Sequence, residues 1–202
     1  MRRSLDLLAD RRVYLPRHEA LAELRADIVR AAYVEGDFTL TGGLRRSYYF
    51  DKYLFETRPA LLRRLSRFLA DLVPQGTDRL AAPALGAVAL GTAVSLELGL
   101  PLVIVRPESG QVGSQHPVEG ELYAGEEVTL IEDVVVTGTR AMRAVSRLGD
   151  VGARAGSVVA VLVRLEGAAE RFADASISYY HLFTPEELGI SEPARSDGTP
   201  NR

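Results

Sequence analysis

"IEDVVVTGTR", residues 131–140, sets two carboxylates, Glu132 and Asp133, at the end of an apolar run and just before a Thr-Gly-Thr turn. The residues ahead of the pair, "EVTLI" at 127–131, have the composition of a buried strand. The residues "AMRAVSRLG" at 141–149 have helical periodicity. On this reading the strand ends at the acid pair, and "VVVTGTR" at 134–140 is the turn that leads into the helix. Unpaired backbone N–H groups at a helix start, a glycine that permits close approach (Gly138) and two hydroxyls (Thr137 and Thr139) make a cradle for a phosphate dianion. The carboxylates would repel that phosphate. They suit sugar hydroxyls, a bound Mg²⁺ or positive charge developing on a sugar carbon. Acid pair and phosphate turn together imply a phosphorylated sugar as ligand; the plain alternative is an ordinary strand end with a capping threonine.

The rest of the chain supplies a setting for this turn. With 202 residues, 47% of them hydrophobic and 25% charged, there is material for one sizeable core. A formal net charge of -3 gives no global reason to expect nucleic acid as partner. Cysteine is absent, which removes thiolate catalysis, disulfides and cysteine-based zinc sites and fits a reducing, cytoplasmic setting. No apolar run approaches the roughly 20 residues of a membrane span, and the arginines at the N-terminus precede no signal-peptide core. Lys52 is the only lysine, against many arginines.

Periodicity predicts a helix over 19–32, a turn and extended segment over "DFTLTGGLRRSYYFDKY", and a helix opened by Pro59. Short apolar strands follow, "RLAAP", "PLVIVR", "EVTLIED" and "GSVVAVLVRL", separated by helical stretches at 87–98 and 140–149. Strands apolar on both faces and alternating with helices predict an α/β fold with a mainly parallel sheet covered on each side. In such a sheet ligands bind beyond the carboxyl ends of the strands, where residues 131–140 lie. One domain is expected over 1–190, with a small N-terminal hood up to about residue 55 and a polar, disordered tail over 191–202.

The acid pair and Thr-Gly turn resemble the phosphoribosyl diphosphate (PRPP) signature of the type I phosphoribosyltransferases. Within that superfamily, three further segments resemble the orotate phosphoribosyltransferases. "GDFTLTGGLRRSYYFD" at 36–51 is similar to the segment that closes over the base, and "APALGAVALGTAV" at 82–94 to the loop that receives pyrophosphate. "PLVIVR" and "VEG" at 118–120 are similar to the two ends of the family's catalytic loop. The resemblance implies the type I phosphoribosyltransferase fold and transfer of ribose 5-phosphate from PRPP to orotate in pyrimidine nucleotide biosynthesis, with release of pyrophosphate. It also implies a homodimer, and Mg²⁺ reached from Glu132 and Asp133 indirectly, through PRPP and water. The implied roles are catalytic for Glu132, Asp133, Arg106 and His116; phosphate binding for Thr137, Gly138, Thr139 and Arg140; pyrophosphate binding for Pro83, Ala84, Leu85 and Gly86; and base binding for Arg45, Arg46, Tyr48 and Tyr49.

The chain also departs from the family it resembles. Typical members read Arg-Lys-x-x-Lys-x-His-Gly in the catalytic loop, where this chain has Gly110 at the second lysine and Val112 at the histidine. His116 either compensates or is a solvated loop histidine. In the phosphate turn, Val136 and Arg140 stand where a threonine and a serine are usual; Arg140 either pairs with the 5'-phosphate or faces solvent. In the hood, Gly42 and Arg46 replace two serines, whereas Tyr48, Tyr49 and Asp51 are retained. Three functions remain open on this reading: an active transferase, a catalytically impaired sensor of PRPP or a nucleotide, and a partner subunit to an active homologue.

Overall fold

Apolar residues recur on one face of the first helix and of the Pro59 helix, and those faces find the sheet. The computed structural model describes residues 15–39, 45–107, 116–163 and 167–189. Helix α1 (Arg17–Ala32) leads into the antiparallel hairpin β1 (Tyr33–Thr39) and β2 (Arg45–Phe50). One helical turn, α2 (Tyr53–Glu56), and α3 (Pro59–Ala70) follow. The remaining elements are β3 (Arg79–Pro83), α4 (Val88–Leu98), β4 (Leu102–Val105), β5 (Val118–Glu119), β6 (Glu127–Val135), α5 (Thr139–Asp150), β7 (Arg154–Val163), α6 (Ala168–Asp174) and β8 (Ser178–Phe183).

Six of these strands form one sheet in the order β5-β4-β3-β6-β7-β8, parallel except for β5. Two apolar clusters cover its faces. On one side α1, α3 and α4 contribute Leu24, Ile28, Leu65, Leu69 and Leu90, which pack with Ile131 of β6. On the other, α5 and α6 contribute Ala144, Leu148 and Phe172, which pack with Val128 and Leu130. Successive β6 residues thus alternate between the clusters, as a strand buried on both faces must. Where α4 crosses β3 the helix carries Gly91, whose absent Cβ would lie 2.8 Å from that of Ala82. A larger residue there would push α4 off the sheet.

The expected α/β layering and the four expected strands are all present. One boundary differs. Strand β6 does not stop at the acid pair but runs on through Val135, because Val134 and Val135 continue the ladder to Leu162 and Val163 of β7. Glu132 and Asp133 therefore lie inside a paired strand, and the turn shrinks to 136–138. Strand β8 and helix α6 were not anticipated from the sequence. The tail over 191–202, Gly42, and the loop positions Gly110, Val112 and Gly113 lie outside the described residues. No helix among the described residues is long and apolar enough to cross a membrane.

Leu130, fully buried in the central strand that carries the acid pair, should be costly to truncate. Leu130→Ala is expected to lower unfolding stability by about 2–5 kcal/mol. Urea unfolding checks this; a loss below about 1 kcal/mol would mean that the packing around β6 is loose.

Candidate active site

At the carboxyl end of β6 the strand's alternation sends the two carboxylates to opposite sides of the sheet. Glu132 is 3% exposed and lines a cavity of about 100 Å³ together with Val135, Thr137, Gly138, Thr139 and Arg140. Asp133, 1% exposed, points the other way and is paired with the ammonium of Lys52. The two carboxylates thus face the turn at 136–138 on one side and the loop after β3 on the other.

The turn at 136–138 takes its shape from Gly138, which has a φ of 75° and precedes α5. A side chain there would be strained, and its Cβ would sit 3.2 Å from the Phe172 ring. The Arg171 Nε donates to the carbonyl of Thr137 at 2.9 Å, bracing the turn from α6. The Thr137 and Thr139 hydroxyls are 3.0 Å apart. No side chain caps α5, so its first backbone N–H groups face the cavity that Glu132 shares.

On the other side, Pro83 ends β3 and Ala84, Leu85 and Gly86 turn into α4. The Ala84 N–H donates to the carbonyl of Val105 at 2.9 Å, and the Ala84–Leu85 peptide bond is cis. Gly86 is buried, and a Cβ on it would collide with the Asp133 carboxylate and the Lys52 ammonium. Glycine at this position is what lets the loop, the acid pair and Lys52 come together.

Behind Lys52 lies Glu56 of α2, a carboxylate 2% exposed with one oxygen unpartnered. Burial, reinforced by Asp133, pushes its pKa up to about 8. Burial, with Asp133 adding to it, also raises Glu132, to about 7.

A second cavity, of about 240 Å³, adjoins the loop after β3 and is lined by Pro83, Ala84, Arg106, Arg140, Arg143 and Arg147. Arg140, Arg143 and Arg147 recur at helical spacing on α5, and none of the three makes an ion pair among the described residues. Three such guanidinium groups give the cleft a positively charged lining. Arg106 bonds Glu119 at 2.9 Å, and its N–H donates to the carbonyl of Pro117 at 3.0 Å. These contacts tie together the two ends of the 106–117 segment.

Not every expected residue joins this assembly. His116 is exposed at the foot of that segment. Tyr49, 40% exposed on the hairpin, has its ring against Phe38 at a centroid distance of 5.5 Å. The side chains of Arg45, Arg46 and Tyr48 lie outside the described set. Lys52, Glu56, Arg143, Arg147 and Arg171 were not read as site residues from sequence. A solitary lysine and an arginine ridge at i, i+3 and i+7 were the available signals.

Acid pair, helix-start phosphate turn and arginine cleft at the carboxyl end of a parallel sheet define a sugar-phosphate-binding α/β domain. Residues 55–188 match the phosphoribosyl transferase domain family. An orotate phosphoribosyltransferase of Natronomonas pharaonis is 42% identical over 153 residues, which is 76% of this chain and 87% of the relative. Another, from Nocardioides sp., is 38% identical over 173 residues, 86% of this chain and 97% of the relative. Among solved structures, the orotate phosphoribosyltransferase of Aeropyrum pernix superposes with a TM-score of 0.73 at 27% identity, over 85% of this chain and 99% of that one. That of Mycobacterium tuberculosis in complex with PRPP gives 0.71 at 27% identity, over 84% and 99%. The chain belongs to the phosphoribosyltransferase family, and within it to the orotate phosphoribosyltransferases.

The raised carboxyl pKa values have a consequence for stability. Between about 4.5 and about 8 the folded chain keeps on Glu56 a proton that the unfolded chain has lost, so folding weakens as pH rises through this window. Without ligands, the Tm should be higher near pH 5 than near pH 8, and Glu56→Gln should flatten the slope. Calorimetric scans across this range test it; a parent slope unchanged in the variant would contradict the assignment.

Proposed function

We propose that this chain transfers ribose 5-phosphate from PRPP to orotate and releases pyrophosphate. The observation that carries the reading is the buried acid pair, one carboxylate turned to the phosphate turn and the other to the loop at 83–86. Relatives that bear the orotate phosphoribosyltransferase name over most of the chain support orotate as the acceptor.

In this mechanism the α5 N-terminus, Thr137 and Thr139 donate hydrogen bonds to the 5'-phosphate, with Arg140 beside them. Glu132 and Asp133 accept hydrogen bonds from the ribose hydroxyls and stabilise the positive charge that grows on the sugar. The bond from the anomeric carbon to the pyrophosphate oxygen breaks, and its electron pair leaves with the pyrophosphate. The orotate nitrogen forms the new bond and gives up its proton to water. Backbone groups of Pro83–Gly86 and the guanidinium groups of the second cavity take up the charge on the leaving group. The hairpin, with Arg45, Arg46, Tyr48 and Tyr49, is assigned to the base.

Magnesium fits this site as an ion carried by PRPP and water. The two carboxylates diverge, and no group of three or more ligating side chains stands ready among the described residues. Glu132 and Asp133 would reach the ion indirectly, and it would supply positive charge to the pyrophosphate oxygens.

A homodimer belongs to the same reading. Leu85 on the loop and Leu96 and Leu98 on α4 are exposed, beside Thr92 and Glu97 of the same helix. Three large apolar side chains exposed on neighbouring elements suit burial against a second copy of the chain. The reaction is assigned to the cytoplasm, in keeping with a chain that carries no cysteine.

The replacement of two charged loop positions by Gly110 and Val112 favours a second reading, a PRPP sensor without turnover. Pyrophosphate release from PRPP, Mg²⁺ and orotate separates the two. Steady turnover is expected, and PRPP binding without release, across orotate, uracil and purine bases, would give the site to the sensor. Asp133→Asn should abolish PRPP binding in titration calorimetry, and an unchanged affinity would sink both readings. Leu96→Glu is expected to yield monomers in light scattering, while persistence of the dimer would locate the interface elsewhere.

A further inference from the structure

Lys52, the chain's only lysine, stands at the start of α2 with its backbone fixed on both sides. The Asp51 N–H donates to the carbonyl of Ala32 at 2.8 Å, and the Phe55 and Glu56 N–H groups donate to the carbonyl of Lys52 at 3.1 and 3.0 Å. The side chain, 18% exposed, crosses to Asp133 and ends against Gly86. Its ammonium therefore occupies the point where the ribose-facing carboxylate meets the loop at 83–86. It is paired with Asp133 and its charge reaches the carboxyls of Glu56 and Glu132, so it is not a spare surface charge.

We propose that Lys52 is a catalytic residue: its ammonium, held on Asp133 in the free protein, contacts the pyrophosphate oxygen that leaves the anomeric carbon. The inference rests on the reading of the acid pair and of the 83–86 loop as the ribose and pyrophosphate sites of PRPP. If that reading holds, the breaking bond lies between the two groups that Lys52 already touches. Asp133 must turn its oxygens to the ribose hydroxyls when PRPP arrives, and the ammonium it releases has one new anion within reach. Negative charge appears on that oxygen as the bond breaks, so a cation here acts more strongly on the transition state than on bound PRPP. The half-buried setting strengthens the effect. Lys52 would then provide, from a fixed helix start, a charge that Gly110 and Val112 of the catalytic-loop segment do not carry.

The test compares the parent chain with Lys52→Met, Lys52→Arg and the double variant Lys52→Met/Glu56→Gln, in which the buried carboxyl behind Lys52 becomes an amide that cannot ionise, a guard against misfolding once the ammonium is gone. Pyrophosphate release should fall by about 100-fold or more in both methionine variants. PRPP affinity by calorimetry should stay within about threefold, the loss falling on kcat rather than on binding. Binding of inorganic pyrophosphate should weaken by about tenfold, and arginine should restore at least part of the rate. Turnover within about threefold of the parent in the folded double variant would overturn the proposal. A parallel loss of PRPP affinity and turnover would also overturn it, because that marks Lys52 as merely the holder of Asp133. A parent chain that fails to bind PRPP at all removes the underlying reading, and the proposal with it.

Discussion

Two adjacent carboxylates buried in one strand form an arrangement that folding alone does not favour. Each loses hydration, each repels the other, and neither is charged cheaply without a cation or hydrogen-bond donors. Strand β6 manages the conflict by sending Glu132 and Asp133 to opposite faces and by bringing one ammonium to Asp133. Much else in the molecule follows from that pairing. The hairpin and α2 must deliver Lys52 across the end of the sheet, and Gly86 must lack a side chain so that the loop can close on both groups. The remaining stress sits on Glu56 and Glu132, whose pKa values are raised by burial and by the neighbouring carboxylates.

The parallel sheet was legible in the sequence because its strands are continuous apolar runs. "RLAAP" is fully buried as β3, and the apolar stretch of "GSVVAVLVRL" forms the interior of β7. The Pro59 helix was legible from its start signal and its one-sided leucines. Strand β8, "SYYHLF", was not, since its tyrosines and histidine are partly exposed at the sheet edge and leave no apolar run to read. The end of β6 was misplaced for a related reason. Carboxylates ordinarily mark a strand's solvent end, but here the β7 ladder carries the strand past them.

Of the site, the parts that depend on local sequence were readable: the Thr-Gly turn, the helix start and the acid pair follow one another within ten residues. The parts assembled from distant segments were not. Lys52 is 81 residues from Asp133 along the chain, and no periodicity connects them. Arg143 and Arg147 have the spacing of a solvated helix face, and only the approach of Pro83 and Arg106 turns that face into a cleft. Of the side chains that the sequence offers in place of the lost loop charges, Arg106 and Arg140 line the cleft beside the 83–86 loop and His116 does not, while Lys52, Arg143 and Arg147 come from segments that no local pattern connects to it.

The most direct test of this account is a crystal structure of the chain with PRPP and Mg²⁺. The account predicts the ribose hydroxyls within hydrogen-bond distance of Glu132 and Asp133, the 5'-phosphate on residues 137–140, and the pyrophosphate against Pro83–Gly86. PRPP bound with its ribose away from both carboxylates, or with its phosphates exchanged between the two loops, would contradict it.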